Sequence, residues 1–218
     1  MEQIVILVKL TAREGMRQQL ANVLSNVGEV AETEPGTLAY VLMADKADSC
    51  VLWAYHVYAD QAAFEIHRTS PELKAAQLAL KPFLAHDYEV IKTRPLGGKN
   101  VPSQAHKGSH PAADQVVAIV KMTAREGTRP KVVEVMKDLL RVVEEEQGTL
   151  AFLLLADTKD PEVLWEYQVY ANQKVFEDHR VAPALKAIQA AVKPHLVGNA
   201  YDVFKTTPLG GKGLAAPA

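Results

Sequence analysis

Val8-Lys9-Leu10-Thr11-Ala12-Arg13-Glu14-Gly15 returns 112 residues later as Val120-Lys121-Met122-Thr123-Ala124-Arg125-Glu126-Gly127. At the same offset Gly36-Thr37-Leu38-Ala39 becomes Gly148-Thr149-Leu150-Ala151. Leu52-Trp53-Ala54-Tyr55-His56-Val57-Tyr58 becomes Leu164-Trp165-Glu166-Tyr167-Gln168-Val169-Tyr170. Aligned without a gap, residues 8–84 and 120–196 share 41 identities in 77 positions. After one extra residue, Pro95-Leu96-Gly97-Gly98-Lys99 pairs with Pro208-Leu209-Gly210-Gly211-Lys212. A period of this length is far beyond that of a solenoid repeat, so each copy is a small domain in tandem.

Each copy carries the same alternation of periods. Ile4 to Leu10 is a β-branched and aliphatic run that reads as a buried strand. After Gly15, apolar residues at Met16, Leu20, Val23, Leu24, Val27 and Ala31 predict an amphipathic helix. Glu34-Pro35-Gly36 ends it, since Pro disfavours a helical residue before it and Gly suits the turn. Thr37–Met43 and Val51–Tyr58 then form a hairpin around the short polar Asp45–Ser49. Asp60 is placed to cap a second helix, Pro71 opens a further helical stretch to about Leu80, and Asp87–Thr93 supplies a fourth strand. The order is β-α-β-β-α-β, a split ferredoxin-like unit. Strand three is apolar on both faces, so its bare side also needs cover, which a second copy can provide sheet to sheet. Trp53, Tyr55, Trp165 and Tyr167 are the expected core between copies. The expected domains are 1–96 and 115–210, joined by a Gly/Ser/Pro/His-rich linker at 97–114 and followed by a tail at 211–218.

Composition excludes several function classes. Hydrophobic residues make up 48% and charged residues 23%, as in an ordinary globular chain. With 24 Lys and Arg against 26 Asp and Glu, the net charge is −2, which gives no electrostatic basis for nucleic-acid binding. No apolar run is long enough to span a bilayer, and the first residues lack a secretion-signal pattern. The one cysteine, Cys50, forms no disulfide framework, so a cytoplasmic protein is expected. His106 and His110 lie four apart in the linker without a third ligand, and no metal site is expected there. No phosphate-loop, dinucleotide, zinc-protease or nucleophile-elbow pattern occurs.

Val57-Tyr58-Ala59-Asp60-Gln61-Ala62-Ala63-Phe64-Glu65-Ile66-His67 resembles the strand-to-helix junction of the antibiotic-biosynthesis-monooxygenase family. Val169-Tyr170-Ala171-Asn172-Gln173-Lys174-Val175-Phe176-Glu177-Asp178-His179 resembles it in the second copy, as do Pro35-Gly36-Thr37 and Gln147-Gly148-Thr149 at the start of strand two. The resemblance covers roughly 3–95 and 115–208. It implies a dimeric α+β barrel, here an α+β fold of two ferredoxin-like repeats in one chain, a fused pseudo-dimer. It also implies a pocket between sheet and helices in each repeat, and oxidation of phenols, anthrones or quinols by O2 with no metal, flavin or other cofactor. Members that degrade haem carry an Asn-Trp-His set. Here strand one has no Asn and the Trp position is Tyr, which argues against that branch.

Strand alternation places His56 with Tyr58, and Glu166 and Gln168 with Tyr170, on one face of strand three. The expected catalytic set is His67, His179, Tyr58, Tyr170, His56 and Glu166. Gln168, Phe64, Phe176, Arg68 and Arg180 are the expected substrate contacts. His56 is a candidate general base, since an unperturbed imidazole titrates near 6.5. The alternatives are tyrosines that cap the core, histidines that satisfy a helix-end carbonyl, and arginines that are solvated surface charges. A buried Glu166 would carry a raised pKa; an exposed one would be a surface charge. The His56/Gln168 and Ala54/Glu166 differences predict one competent and one degenerate pocket. The expected partners are a small aromatic substrate and O2, with further self-association open. A cofactor-free isomerase or cyclase and a non-catalytic binder of a hydrophobic metabolite are the competing functions.

Overall fold

The computed structural model describes residues 2–102, 112 and 114–213. His106, His110, most of the expected linker and residues 214–218 of the expected tail lie outside these. The first repeat runs β1 (Ile4–Thr11), α1 (Arg17–Thr33), β2 (Thr37–Asp45), β3 (Val51–Tyr58), α2 (Gln61–Thr69), α3 (Pro71–Leu80) and β4 (Glu89–Lys99). The second repeats this order as β5 (Val116–Thr123), α4 (Arg129–Glu145), β6 (Thr149–Asp157), β7 (Val163–Tyr170), α5 (Gln173–Val181), α6 (Pro183–Val192) and β8 (Asp202–Lys212). Both are ferredoxin-like β-α-β-β-α-β repeats. No helix among the described residues is long and apolar enough to cross a membrane.

The chain divides into two compact units, with boundaries inside β4 after Thr93 and inside β8 after Lys205. In the first unit β3 lies antiparallel between β1 and β2. Residues 89–93 of β4 pair with β1 and residues 206–212 of β8 with β2. In the second, β7 lies between β5 and β6 in matching register. The remaining half of β8 edges β5, and that of β4 edges β6.

Helix α1 buries Leu20, Leu24, Val27 and Ala31 against Leu42, Leu52 and Ala54. Helix α4 sets Val132, Met136, Leu139 and Val143 on Val120, Phe152, Leu154 and Leu164. The apolar stripe is therefore real, except that Met16 sits at the N-cap of α1 and is 39% exposed. Asp60 caps α2 by accepting from the Ala63 N–H, and Asn172 does the same for α5 through Val175. Trp53, Tyr55, Trp165 and Tyr167 are buried on the sheet face turned from the helices.

The last strand of each repeat is longer than the sequence suggests. β4 runs through Gly97-Gly98-Lys99, where the linker was expected to begin, and β8 takes in Gly211 and Lys212 from the expected tail. The glycines are there for close approach between strands. A Cβ on Gly98 would stand 2.2 Å from the Phe152 carbonyl oxygen; one on Gly211, at φ +136°, would stand 1.9 Å from that of Tyr40. Gly211→Ala is expected to cost about 2 kcal/mol, a fall in melting temperature of roughly 4–8 °C. Gly210→Ala, with nothing within 4 Å of the added carbon, is the control. Equal melting curves for the two variants would refute the close-approach account.

Candidate active site

The pocket of the first repeat, about 240 Å³, opens between β3 and the helices. Its wall includes Tyr40, His56, Tyr58, Phe64, His67 and Arg68. His56 Nδ1 shares a 2.9 Å hydrogen bond with the Tyr58 hydroxyl, so the two expected site residues engage each other. Burial, with a smaller contribution from the His67 charge, lowers the His56 pKa to about 3. His56 is thus neutral at pH 7 but far too weakly basic for the general-base role expected of it. Tyr58 is also buried, which pushes its hydroxyl pKa up and keeps the proton on. Tyr40, unremarked in the sequence, sets its ring edge-on to His56 at 4.7 Å and donates its hydroxyl to the Leu24 carbonyl.

The second repeat builds a larger pocket, about 480 Å³, on the same elements. Glu166, Gln168, Phe176, His179 and Arg180 line it, with Tyr201 and Lys205. Glu166 is 4% exposed, between Val120 of β5 and Leu154 of β6. Its carboxylate accepts from Gln168 Nε2 at 2.6 Å, and the Tyr170 hydroxyl donates to Gln168 Oε1 at 2.8 Å. Burial raises the Glu166 pKa to about 8, against a smaller lowering by the Gln168 bond. Tyr170, a member of the expected catalytic set, is not among the residues lining the pocket. It stands behind the wall, fully buried against Phe176, and holds Gln168.

His67 and His179 are buried at the ends of α2 and α5, and both line their pockets. Their partners are carboxylates, not helix-end carbonyls. His67 Nδ1 lies 2.8 Å from Glu34, which also accepts the Thr37 hydroxyl at 2.6 Å. His179 Nδ1 lies 2.8 Å from Glu146, which accepts the Thr149 hydroxyl at 2.5 Å. Burial works to raise the Glu146 pKa; the His179 and Thr149 hydrogen bonds and the His179 and Lys99 charges outweigh it, leaving it lowered. Arg68 and Arg180 are exposed at the pocket mouths and paired with Glu65 and Glu177. Phe64 and Phe176 meet Tyr58 and Tyr170 edge-to-face at 5.4 Å.

The family model for antibiotic biosynthesis monooxygenases matches residues 3–79 and again residues 115–191. The chain belongs to that family. No curated protein matches it in sequence. A Fusobacterium nucleatum protein described as a "putative monooxygenase" superposes with a TM-score of 0.86 at 14% identity, over 97% of this chain and 94% of its own. One from Lactobacillus acidophilus, described in the same words, gives 0.79 at 16% identity, over all of both chains. A structure described as an "anthrone oxidase-like protein" gives 0.68 at 10%, over 98% of this chain and 94% of its own. At these identities the likeness is one of fold.

Within this monooxygenase-family chain the two pockets share a scaffold and differ in chemistry. The positions facing the helices read Tyr40, Ala54 and His56 in one copy and Phe152, Glu166 and Gln168 in the other. Sequence reasoning missed Glu34 and Glu146 as site residues. The available signal was their recurrence at one offset, Glu-Pro-Gly and Glu-Gln-Gly, at a point where a turn asks only for the glycine.

Proposed function

We propose that the chain is a cofactor-independent monooxygenase that oxidises a hydroxyarene (a phenol, a naphthol, a hydroquinone or an anthrone in its enol form) to a quinone with O2. The pocket of the second repeat is the competent site. The observation that carries this reading is the carboxyl of Glu166 in the wall of an otherwise largely apolar pocket. A carboxylate with a pKa near 8 is a far stronger base than an exposed one, and close to the pH at which it works.

In the proposed reaction the Glu166 carboxylate takes the hydroxyl proton, and the substrate anion passes one electron to O2. The resulting superoxide and aryloxyl radical join through a new carbon–oxygen bond on the ring. The Glu166 carboxyl returns its proton to the terminal oxygen, giving a hydroperoxide. The regenerated carboxylate then takes the remaining proton from that carbon. The O–O bond breaks, the carbonyl forms, and hydroxide leaves as water with the proton. One atom of O2 enters the quinone and the other enters water. Gln168, held by Tyr170, orients the carboxyl, and His179 contacts the substrate oxygen. The apolar wall excludes bulk water from the radical pair.

The first pocket has Ala54 where the second has Glu166, and its His56 imidazole is almost without basicity. It is assigned as a binding pocket without turnover. Oxygen uptake with 1-naphthol, hydroquinones and anthrone, followed by mass spectrometry of the product, tests the reading. The expected result is quinone carrying one atom of labelled oxygen, formed at a rate that climbs with pH and levels above about 8. Product formed equally fast without oxygen would replace the oxygenase with an isomerase or cyclase.

A further inference from the structure

Lys99 and Lys212 end the paired Pro-Leu-Gly-Gly-Lys segments, and no part of the proposed reaction uses them. Both side chains go to the same place on their scaffold. Lys99 Nζ donates to the carbonyls of Val143, Glu144 and Glu146 at 3.0, 3.1 and 2.6 Å. Lys212, 1% exposed, donates to the carbonyls of Ala31 and Glu34, the latter at 3.3 Å. These are the ends of α4 and α1, where the closing backbone bonds are long, Glu34 N–H to the Ala31 carbonyl at 3.3 Å and Glu146 N–H to that of Val143 at 3.2 Å, and the helix dipole favours a cation. An ammonium group has three donors and can reach several carbonyls of such a cluster at once.

The residue each lysine fixes is the glutamate that holds the pocket histidine. Glu34 and Glu146 are the C-cap residues of α1 and α4. Their backbones are anchored by the lysine, and their carboxylates reach His67 and His179 at 2.8 Å. A chain of direct contacts therefore runs Lys99–Glu146–His179, and another runs Lys212–Glu34–His67. We propose that Lys99 is a positioning residue for the second site: by clamping the C-cap of α4 it sets the Glu146 carboxylate that orients His179. Lys212 does the same for His67. Each lysine comes from the strand that closes the other repeat in sequence, since β4 and β8 each pass from one unit into the other. Completing either histidine pair thus requires both copies of the duplication. A cleaved or separately expressed repeat lacks the lysine for its own pair.

The consequence of this positioning for turnover rests on the functional reading above; the positioning itself does not. The test uses the full chain with 15N-labelled histidine. It follows the imidazole Nδ1–H resonances of His67 and His179, assigned with His67→Gln and His179→Gln. In wild type both are expected downfield and slow to exchange, as hydrogen bonds to carboxylate require. Lys99→Met is expected to shift or broaden the His179 resonance and leave that of His67 in place. Lys212→Met is expected to do the reverse. Lys99→Gln, which keeps an N–H donor without the charge, serves if the methionine variant does not fold. No change at His179, or equal changes at both histidines, would overturn the proposal, the second because it marks general loosening. Oxygen uptake by Lys99→Met is expected to fall about tenfold through kcat, with KM little changed. A displaced His179 resonance with full uptake would remove His179 from the reaction and leave the positioning role intact.

Discussion

Glu166→Gln is expected to lower oxygen-dependent turnover of a hydroxyarene by about 100-fold or more, the usual contribution of a positioned general base. The substitution keeps the shape of the side chain and its reach to Gln168 but removes the group that accepts the proton. Its effect therefore falls on kcat, with KM within about twofold, because the apolar wall that holds the substrate is untouched. The pH profile adds an independent check. Below pH 8 the wild-type rate is expected to rise about tenfold per pH unit, as Glu166 ionises, and to level above that. The residual rate of Glu166→Gln should lack that rise. A variant that keeps the wild-type rate and slope would show that the proton goes elsewhere, with His179 the next candidate. Alanine at His179 is also expected to cost more than alanine at His67. Equal losses would return the chemistry to both pockets.

Much of this site was legible because it depends on short-range periodicity. A strand repeats every two residues, so Ala54, His56 and Tyr58, or Glu166, Gln168 and Tyr170, share a face whatever surrounds them. The duplication made the reading firmer, since a polar substitution in one copy alone points to chemistry more than to packing. Contacts formed at longer range were not legible. Glu34 and His67 are 33 residues apart on different helices, and only the meeting of the end of α1 with that of α2 reveals the pair. The basicity of His56 was misread because residue type gives the unperturbed value, whereas burial decides the actual one. Gly98 and Gly211 misled for a related reason. Glycine marks both flexible connections and close backbone contacts, and the two differ only in what lies 2 Å from the missing Cβ.

The same buried carboxyl that serves the reaction is expected to make stability depend on pH. Glu166 titrates near 8 in the folded chain and near the ordinary 4.5 once unfolded. Between those values the folded state binds more protons than the unfolded one, so this group's contribution is fully present below about pH 4.5. It is lost as pH rises through 8. From pH 5.5 to 8.5 the loss is on the order of 3 kcal/mol, or roughly 6–12 °C in melting temperature for a chain of this size. Glu166→Gln carries no ionisable group there and is expected to match wild type only below about pH 4.5, to exceed it already at pH 5.5, and to exceed it increasingly toward pH 8.5. Parallel melting curves across that range would mean that the Glu166 pKa is close to ordinary, and would remove the basis for its role as a tuned base. If the curves diverge as expected, the form of the protein that accepts the substrate proton is the form that folding disfavours. A more stable variant would then be gained at position 166 only by giving up the reaction.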